Sequence, residues 1–156
     1  MREKWHKICS LLSDLPPMKR LIAALFVTVL IGFACERDHN YPDKIPDGLY
    51  IGTFQRQLAF GGGDTSLVSF TFYSNTWIGQ SDRSKYPALC QGTYSIDKGK
   101  IVFTNNCVWT ADFDWSFILG GEYTLTIDGN QIKFIKDYRD PSSDTYADIY
   151  NLTKPK

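Results

Sequence analysis

From Gly48 onward the chain alternates apolar and polar positions in short runs separated by turn residues, which is the pattern of half-buried strands. In Gly48 to Phe60 the residues Tyr50, Gly52, Phe54, Leu58 and Phe60 share one face and Thr53, Gln55 and Gln57 the other, predicting a long strand with Gly52 as a bend. Gly61-Gly62-Gly63-Asp64 then reads as a turn; no Lys-Ser/Thr follows it, so it lacks the signature of a phosphate cradle. A second strand spans Thr65 to Ser74 with Val68, Phe70 and Phe72 on one face, and a third spans Thr76 to Gln80. After the polar loop Ser81 to Pro87 come two hairpins, Ala88 to Cys107 around Lys98-Gly99 and Glu122 to Tyr138 around Asp128-Gly129-Asn130. Between them Val108 to Gly121 does not alternate. Trp109, Phe113 and Phe117 recur there every four residues, predicting a short helical turn over one end of the sheet. A loop at Asp140 to Asp144 precedes a last strand, Thr145 to Thr153. The sum is an all-β domain over residues 48–153, an eight-stranded antiparallel up-and-down barrel that removes its edges by closing, with a β-sandwich as the alternative.

The hairpin registers follow from their turns. If Lys98-Gly99 is a two-residue loop, Ile96 faces Ile101, Tyr94 faces Phe103 and Cys90 faces Cys107. The cysteines then form a non-hydrogen-bonded pair with Cα atoms about 4.5 Å apart, at the short end of the range a disulfide spans, about 4.4–6.8 Å. The same parity puts Tyr94, Ile96, Ile101 and Phe103 on the cysteine face, so hydrophobic pattern and bond geometry select one register. A Cys90–Cys107 disulfide is expected, the alternative being two buried free thiols. In the second hairpin Tyr123, Leu125 and Ile127 oppose Ile132 and Phe134.

A different pattern precedes the strands. Lys19 and Arg20 lead a continuous apolar run, Leu21 to Phe33, that ends in small residues and Cys35, the layout of a secretory signal; the run is short of the about 20 residues that a spanning helix needs. Cys35 directly after Gly32-Phe33-Ala34 resembles the lipobox of bacterial lipoproteins, with Gly32 where that family usually has Leu. The resemblance implies that Cys35 is lipidated and becomes the new N-terminus. Signals normally begin at the initiator Met, so residues 18–34 are read as the signal peptide and residues 1–17, with Trp5, His6 and Cys9, as lying upstream of the true start. Glu36 to Asp47 is polar, carries Pro42 and Pro46, and reads with Cys35 as a lipid-anchored tether over residues 35–47.

Removing this leader changes the composition. It holds five of the 17 Lys/Arg and two of the 17 Asp/Glu, so the mature chain keeps 12 basic and 15 acidic residues, a balance without the basic face that nucleic acid requires. Beyond Cys35, the expected lipidation site, Cys90 and Cys107 are the remaining cysteines, an even number in an exported chain, where a disulfide is the default. His39 is the one histidine left, and it lies in the tether, which removes imidazole metal sites and histidine general bases from the expected chemistry.

The residues Asp47-Gly48-Leu49-Tyr50, Gly92-Thr93-Tyr94-Ser95-Ile96, Trp109-Thr110-Ala111-Asp112-Phe113-Asp114-Trp115, Gly121-Glu122-Tyr123 and Asp128-Gly129 resemble the small lipocalin-like lipoproteins of Bacteroidetes-type bacteria, over roughly residues 48–152. Vertebrate-type lipocalins open instead with G-x-W. The resemblance implies a barrel anchored by its N-terminal lipid in the bacterial cell envelope, at the outer membrane, and holding one small hydrophobic or amphipathic ligand. Tyr50, Phe54, Phe70, Phe72, Tyr94, Phe103, Tyr123 and Phe134 share the interior face and are the candidate ligand contacts. The same side chains have the bulk to fill an eight-stranded interior, which leaves room for side chains or one small ligand. The competing expectation is therefore a packed barrel with a structural role, or one docking onto an envelope protein.

Arg56 interrupts the apolar face of the first strand. Pointing inward it requires a partner or an anionic ligand; the commoner outcome is a β-bulge that turns it outward. Asp112, Asp114 and Glu122 could gather around Ca²⁺, but they lack EF-hand spacing and read as solvated loop carboxylates. Trp77, Trp109 and Trp115 could stack on sugar or lipid, though aromatic residues in a small barrel are more often core. With no catalytic constellation in the sequence, the expectation is a non-enzyme without cofactor or metal.

Overall fold

Closure is the feature that organises the structure. The computed structural model describes residues 41–139 and 145–156, in which eight antiparallel strands, each hydrogen-bonded to the next and the last to the first, form a closed barrel. They are β1 (Gly48–Leu58), β2 (Thr65–Tyr73), β3 (Thr76–Ser81), β4 (Gln91–Asp97), β5 (Lys100–Asn105), β6 (Gly121–Asp128), β7 (Gln131–Asp137) and β8 (Tyr146–Thr153). Val68, Phe70 and Phe72 of β2 and Tyr123 and Leu125 of β6 are buried while their neighbours face out, as the alternation requires. The β1–β8 seam aligns Phe54 with Tyr150 and Arg56 with Asp148.

Both hairpins have the expected register. Asp97 pairs with Lys100, Ile96 with Ile101 and Tyr94 with Phe103; Leu125 pairs with Phe134 and Ile127 with Ile132. Lys98 and Gly99 have φ of 47° and 76°, and Ser74 and Asn75 have 45° and 67°, the left-handed pairs that two-residue hairpins favour. Cys90 and Cys107 form the disulfide, with their Cα atoms 6.4 Å apart rather than about 4.5 Å. The ladder ends at Gly92–Asn105 and a single further bond from Asn106 N to the Gln91 carbonyl, so the strands have begun to part where the cysteines lie. Two glycines permit close approach. A Cβ on Gly52 would lie 1.9 Å from the Asn151 carbonyl oxygen, and one on Gly92 1.8 Å from that of Thr104. Bare backbone at these points lets β8 close on β1, and lets Trp77 reach the Thr93 and Thr104 carbonyls with its indole N–H (3.2 and 3.3 Å).

The barrel has a short-turn end, with connections 74–75, 98–99 and 129–130, and a long-loop end, with connections 59–64, 82–90, 106–120 and 138–145. Several elements differ from expectation. β1 stops at Leu58, and Leu58 and Phe60 are exposed because the chain has passed the rim of the barrel and entered the turn. The predicted helical turn shrinks to a single 3₁₀ turn, Trp115–Phe117, capped by the Asp114 carboxylate, which accepts from Ser116 N. Trp109 and Phe113 pack on each other at 5.7 Å, and neither belongs to the core; Phe117 packs against it. The tether also does more than link. Ile45 is fully buried in the core at the short-turn end, its N–H donating to Tyr94 Oη (3.3 Å) while Tyr50 Oη donates to the Pro46 carbonyl (2.9 Å). The signal segment and Cys35 lie outside the described residues.

Candidate functional site

All eight aromatic residues assigned to ligand contact face the interior, and each is at most 4 % exposed. They meet one another there. Phe70 stacks on Phe72 at 5.6 Å, Phe103 approaches Phe134 at 5.1 Å, Tyr123 meets Phe134 edge-on at 5.6 Å and Tyr94 meets Phe72 edge-on at 5.5 Å. Tyr50 closes the short-turn side against Phe72 at 5.6 Å. These separations are those of aromatic pairs in contact, about 4.5–7 Å. Sequence reasoning left Tyr150 out of this cluster, yet it stacks on Phe134 at 4.4 Å and touches Phe54 at 4.8 Å. Its signal was the alternation Tyr146, Asp148, Tyr150, Leu152, which places it on the inner face of the closing strand. Burial pushes the Tyr150 and Tyr123 phenols far up, so both stay protonated. Trp77 is likewise core.

Arg56 points inward with no bulge, since the β1–β8 register runs unbroken through it. Its guanidinium donates from Nε to Asp148 Oδ1 (2.7 Å) and from Nη2 to Asp148 Oδ2 (2.8 Å), a bidentate pair. Nη1 donates to Ser116 Oγ (2.8 Å) and Nη2 also to the Ser116 carbonyl (2.9 Å). Its Cζ lies 3.7 Å from the centroid of Phe117 and 3.8 Å from that of Tyr146. The cation is thus partnered in its plane and covered by rings, and what it holds is the 3₁₀ turn of the 106–120 loop against the barrel mouth. Burial pushes the Asp148 carboxyl above its ordinary value, against the opposing pull of Arg56.

The three carboxylates stand apart, each beside a different cation, and Glu122 lies on β6 rather than in a loop. Asp112 accepts from Lys85 Nζ at 2.7 Å on both oxygens and from the Thr110 hydroxyl, and these bonds, that of Lys85 foremost, hold its pKa at about 2. Asp114 lies 3.8 Å from Arg56 and Glu122 2.7 Å from Lys100. Among the described residues no three His, Cys, Asp or Glu side chains converge as metal ligands.

Of the cavities lined by described residues, three open on the outside of the barrel. One of about 440 Å³ is an apolar groove along β1 and β2, lined in part by Ile51, Leu67 and Pro155. One of about 400 Å³ lies on the polar wall of β6 to β8. The third, also about 400 Å³, differs in being built by two long loops, with Arg83, Ser84, Lys85 and Leu89 from 82–90 and Trp109 from 106–120. Trp115, the remaining candidate stacking residue, is exposed on the 3₁₀ turn, with its indole N–H bonded to the Thr110 carbonyl (3.0 Å).

Compared with protein-family models, curated proteins and solved structures, the chain matches none.

Proposed function

We propose that the chain is a lipid-anchored module of the bacterial cell envelope, tethered at the outer membrane through Cys35, in which the barrel is a non-enzymatic rigid scaffold and recognition of another envelope component takes place on the outside. One observation carries this reading. The aromatic side chains that would line an interior ligand site are in contact with each other across the barrel. A small hydrophobic ligand held inside would have to displace such rings, and truncating one buried Phe costs about 3–5 kcal/mol. The long-loop end, where Arg56 ties the 106–120 connection to the barrel, offers the kind of surface on which rigid scaffolds carry binding residues.

The anchor is tested by fractionation. Wild type enters the membrane fraction and incorporates a lipid label, whereas Cys35→Ala does neither; equal retention of the variant contradicts the anchor. The scaffold reading is tested on that unlipidated variant by native mass spectrometry. The polypeptide mass alone is expected. A stoichiometric apolar molecule carried through purification would favour an interior ligand.

A further inference from the structure

The 82–90 and 106–120 connections are cross-linked to a degree that their lack of regular structure does not require. The Cys90–Cys107 disulfide joins them, Lys85 on one holds Asp112 on the other, Ala88 N donates to the Phe117 carbonyl (3.0 Å), and Leu119 N donates to the Ala88 carbonyl (3.2 Å). Long connections in compact domains are commonly functional, and binding energy goes furthest where loops are already ordered. The cavity of about 400 Å³ lies between these two loops and the outer face of β3, within the size range of small-molecule sites, about 300–1,000 Å³.

Its lining sets the ligand's chemistry. Trp109 supplies a half-buried indole fixed in orientation by its N–H bond to Asn105 Oδ1 (3.2 Å) and by the Phe113 ring packed against it. Gln80 and Ser84 are exposed in the same cavity, and their side chains have no hydrogen-bond partner among the described residues. Arg83 and Lys85 also line it, but each is already matched by a carboxylate, Asp64 at 2.9 Å and Asp112 at 2.7 Å. An anion would have to compete with those carboxylates, and a purely apolar molecule would leave the amide and hydroxyl without partners. A fixed aromatic wall, open amide and hydroxyl groups and balanced charge together suit a ligand with an apolar C–H face and a rim of hydroxyls.

We infer that the cavity between the 82–90 and 106–120 loops binds a neutral saccharide, stacked on Trp109 and hydrogen-bonded by Gln80 and Ser84. This rests on the exterior-recognition reading above and names its site and ligand class. The test uses the mature Cys35→Ala protein on an array of neutral oligosaccharides, followed by calorimetric titration of those retained. Binding is expected, with a loss of at least tenfold in Trp109→Ala, a loss of several-fold in Gln80→Ala and Ser84→Ala, and no change in Trp115→Phe, whose ring lies outside the cavity. The exposed Gln80 and Ser84 variants keep the test decisive if Trp109→Ala unfolds. Absence of binding across the array, or binding that none of the cavity substitutions weakens, overturns the inference and leaves the exterior reading standing. Retention only of acidic sugars, lost in Lys85→Gln, or capture of an envelope protein through this cavity with no saccharide bound, overturns the ligand class. Uptake of an apolar molecule by the barrel interior removes the reading beneath it.

Discussion

Replacing Arg56 with Met removes the guanidinium while keeping an unbranched side chain between the Phe117 and Tyr146 rings, so the substitution isolates the charge. The side chains of Arg56 and Asp148 are 7 % and 5 % exposed, and the pair is bidentate at 2.7 and 2.8 Å. In Arg56→Met both Asp148 oxygens lose those donors in a site that water hardly reaches. Breaking such a pair from one side costs about 3–5 kcal/mol, because a buried charge remains uncompensated. Replacing both partners, as in Arg56→Met with Asp148→Leu, removes that penalty, and buried pairs exchanged for apolar residues are often neutral or better. The single variant should therefore lose about 3–5 kcal/mol in urea denaturation, and the double variant should recover most of it. The single variant also acquires a pH dependence. Burial already raises the Asp148 carboxyl, and without Arg56 it rises further. A carboxyl whose folded pKa lies above its unfolded value favours the fold while protonated, so this contribution is present at low pH and is lost as pH rises through the folded pKa. Arg56→Met should accordingly be nearest to wild type in acid and fall further behind toward neutrality. Hydrogen exchange in residues 106–120 should quicken with it, since Ser116 loses its anchor. A loss under about 1 kcal/mol, or a double variant no better than the single, would show that Arg56 is not a structural latch.

Other substitutions report on neighbouring parts of the account. The disulfide closes a stretch with a sequence separation of 17, and loop entropy at that length predicts that the Cys90→Ala, Cys107→Ala double variant loses about 3 kcal/mol in urea denaturation; an unchanged midpoint would contradict this. Lys85, with Thr110, holds the Asp112 carboxyl at about 2, below its ordinary 3.8, so its contribution is present above the ordinary value and is lost as pH falls through about 2. Exchange in residues 106–114 should quicken across that acid window in wild type, and Asp112→Asn should flatten the response. Ser66 Oγ is buried without a hydrogen-bond partner among the described residues, so Ser66→Ala should leave stability unchanged or slightly raised; a loss above about 1 kcal/mol would reveal a partner.

The fold was legible where neighbours in sequence are neighbours in space. The Lys98-Gly99 turn sets the Tyr94–Phe103 pairing, and alternation then assigns Phe70, Phe72 and Phe134 to the interior. The fate of Arg56 was not legible from β1 alone, because its partner Asp148 is 92 residues away. A trace existed all the same. Asp148 interrupts the inner face of β8 just as Arg56 interrupts that of β1, and closure brings these two strands together. Ile45 was hidden in a polar, proline-bearing segment that resembles a linker in composition, and its burial depends on where that segment meets the barrel. The loop cavity was hidden for a similar reason. Gln80 and Ser84 are near neighbours in sequence but Trp109 comes from a distant loop, and only tertiary contacts show that they share a cavity while Trp77 lies inside the barrel.

The central claim is that the interior is full, and thermal unfolding with apolar probes tests it most directly. Benzene, a fatty acid and a sterol are added in turn to the Cys35→Ala protein and to the same protein carrying Phe134→Ala, which opens a cavity beside Tyr150 and Phe103. The cavity variant should lose about 3–5 kcal/mol, and benzene should raise its Tm, as engineered apolar cavities bind such molecules. The protein with Phe134 intact should show no rise with any of the three. A rise there equal to or greater than that of the cavity variant would mean that the barrel holds a ligand after all.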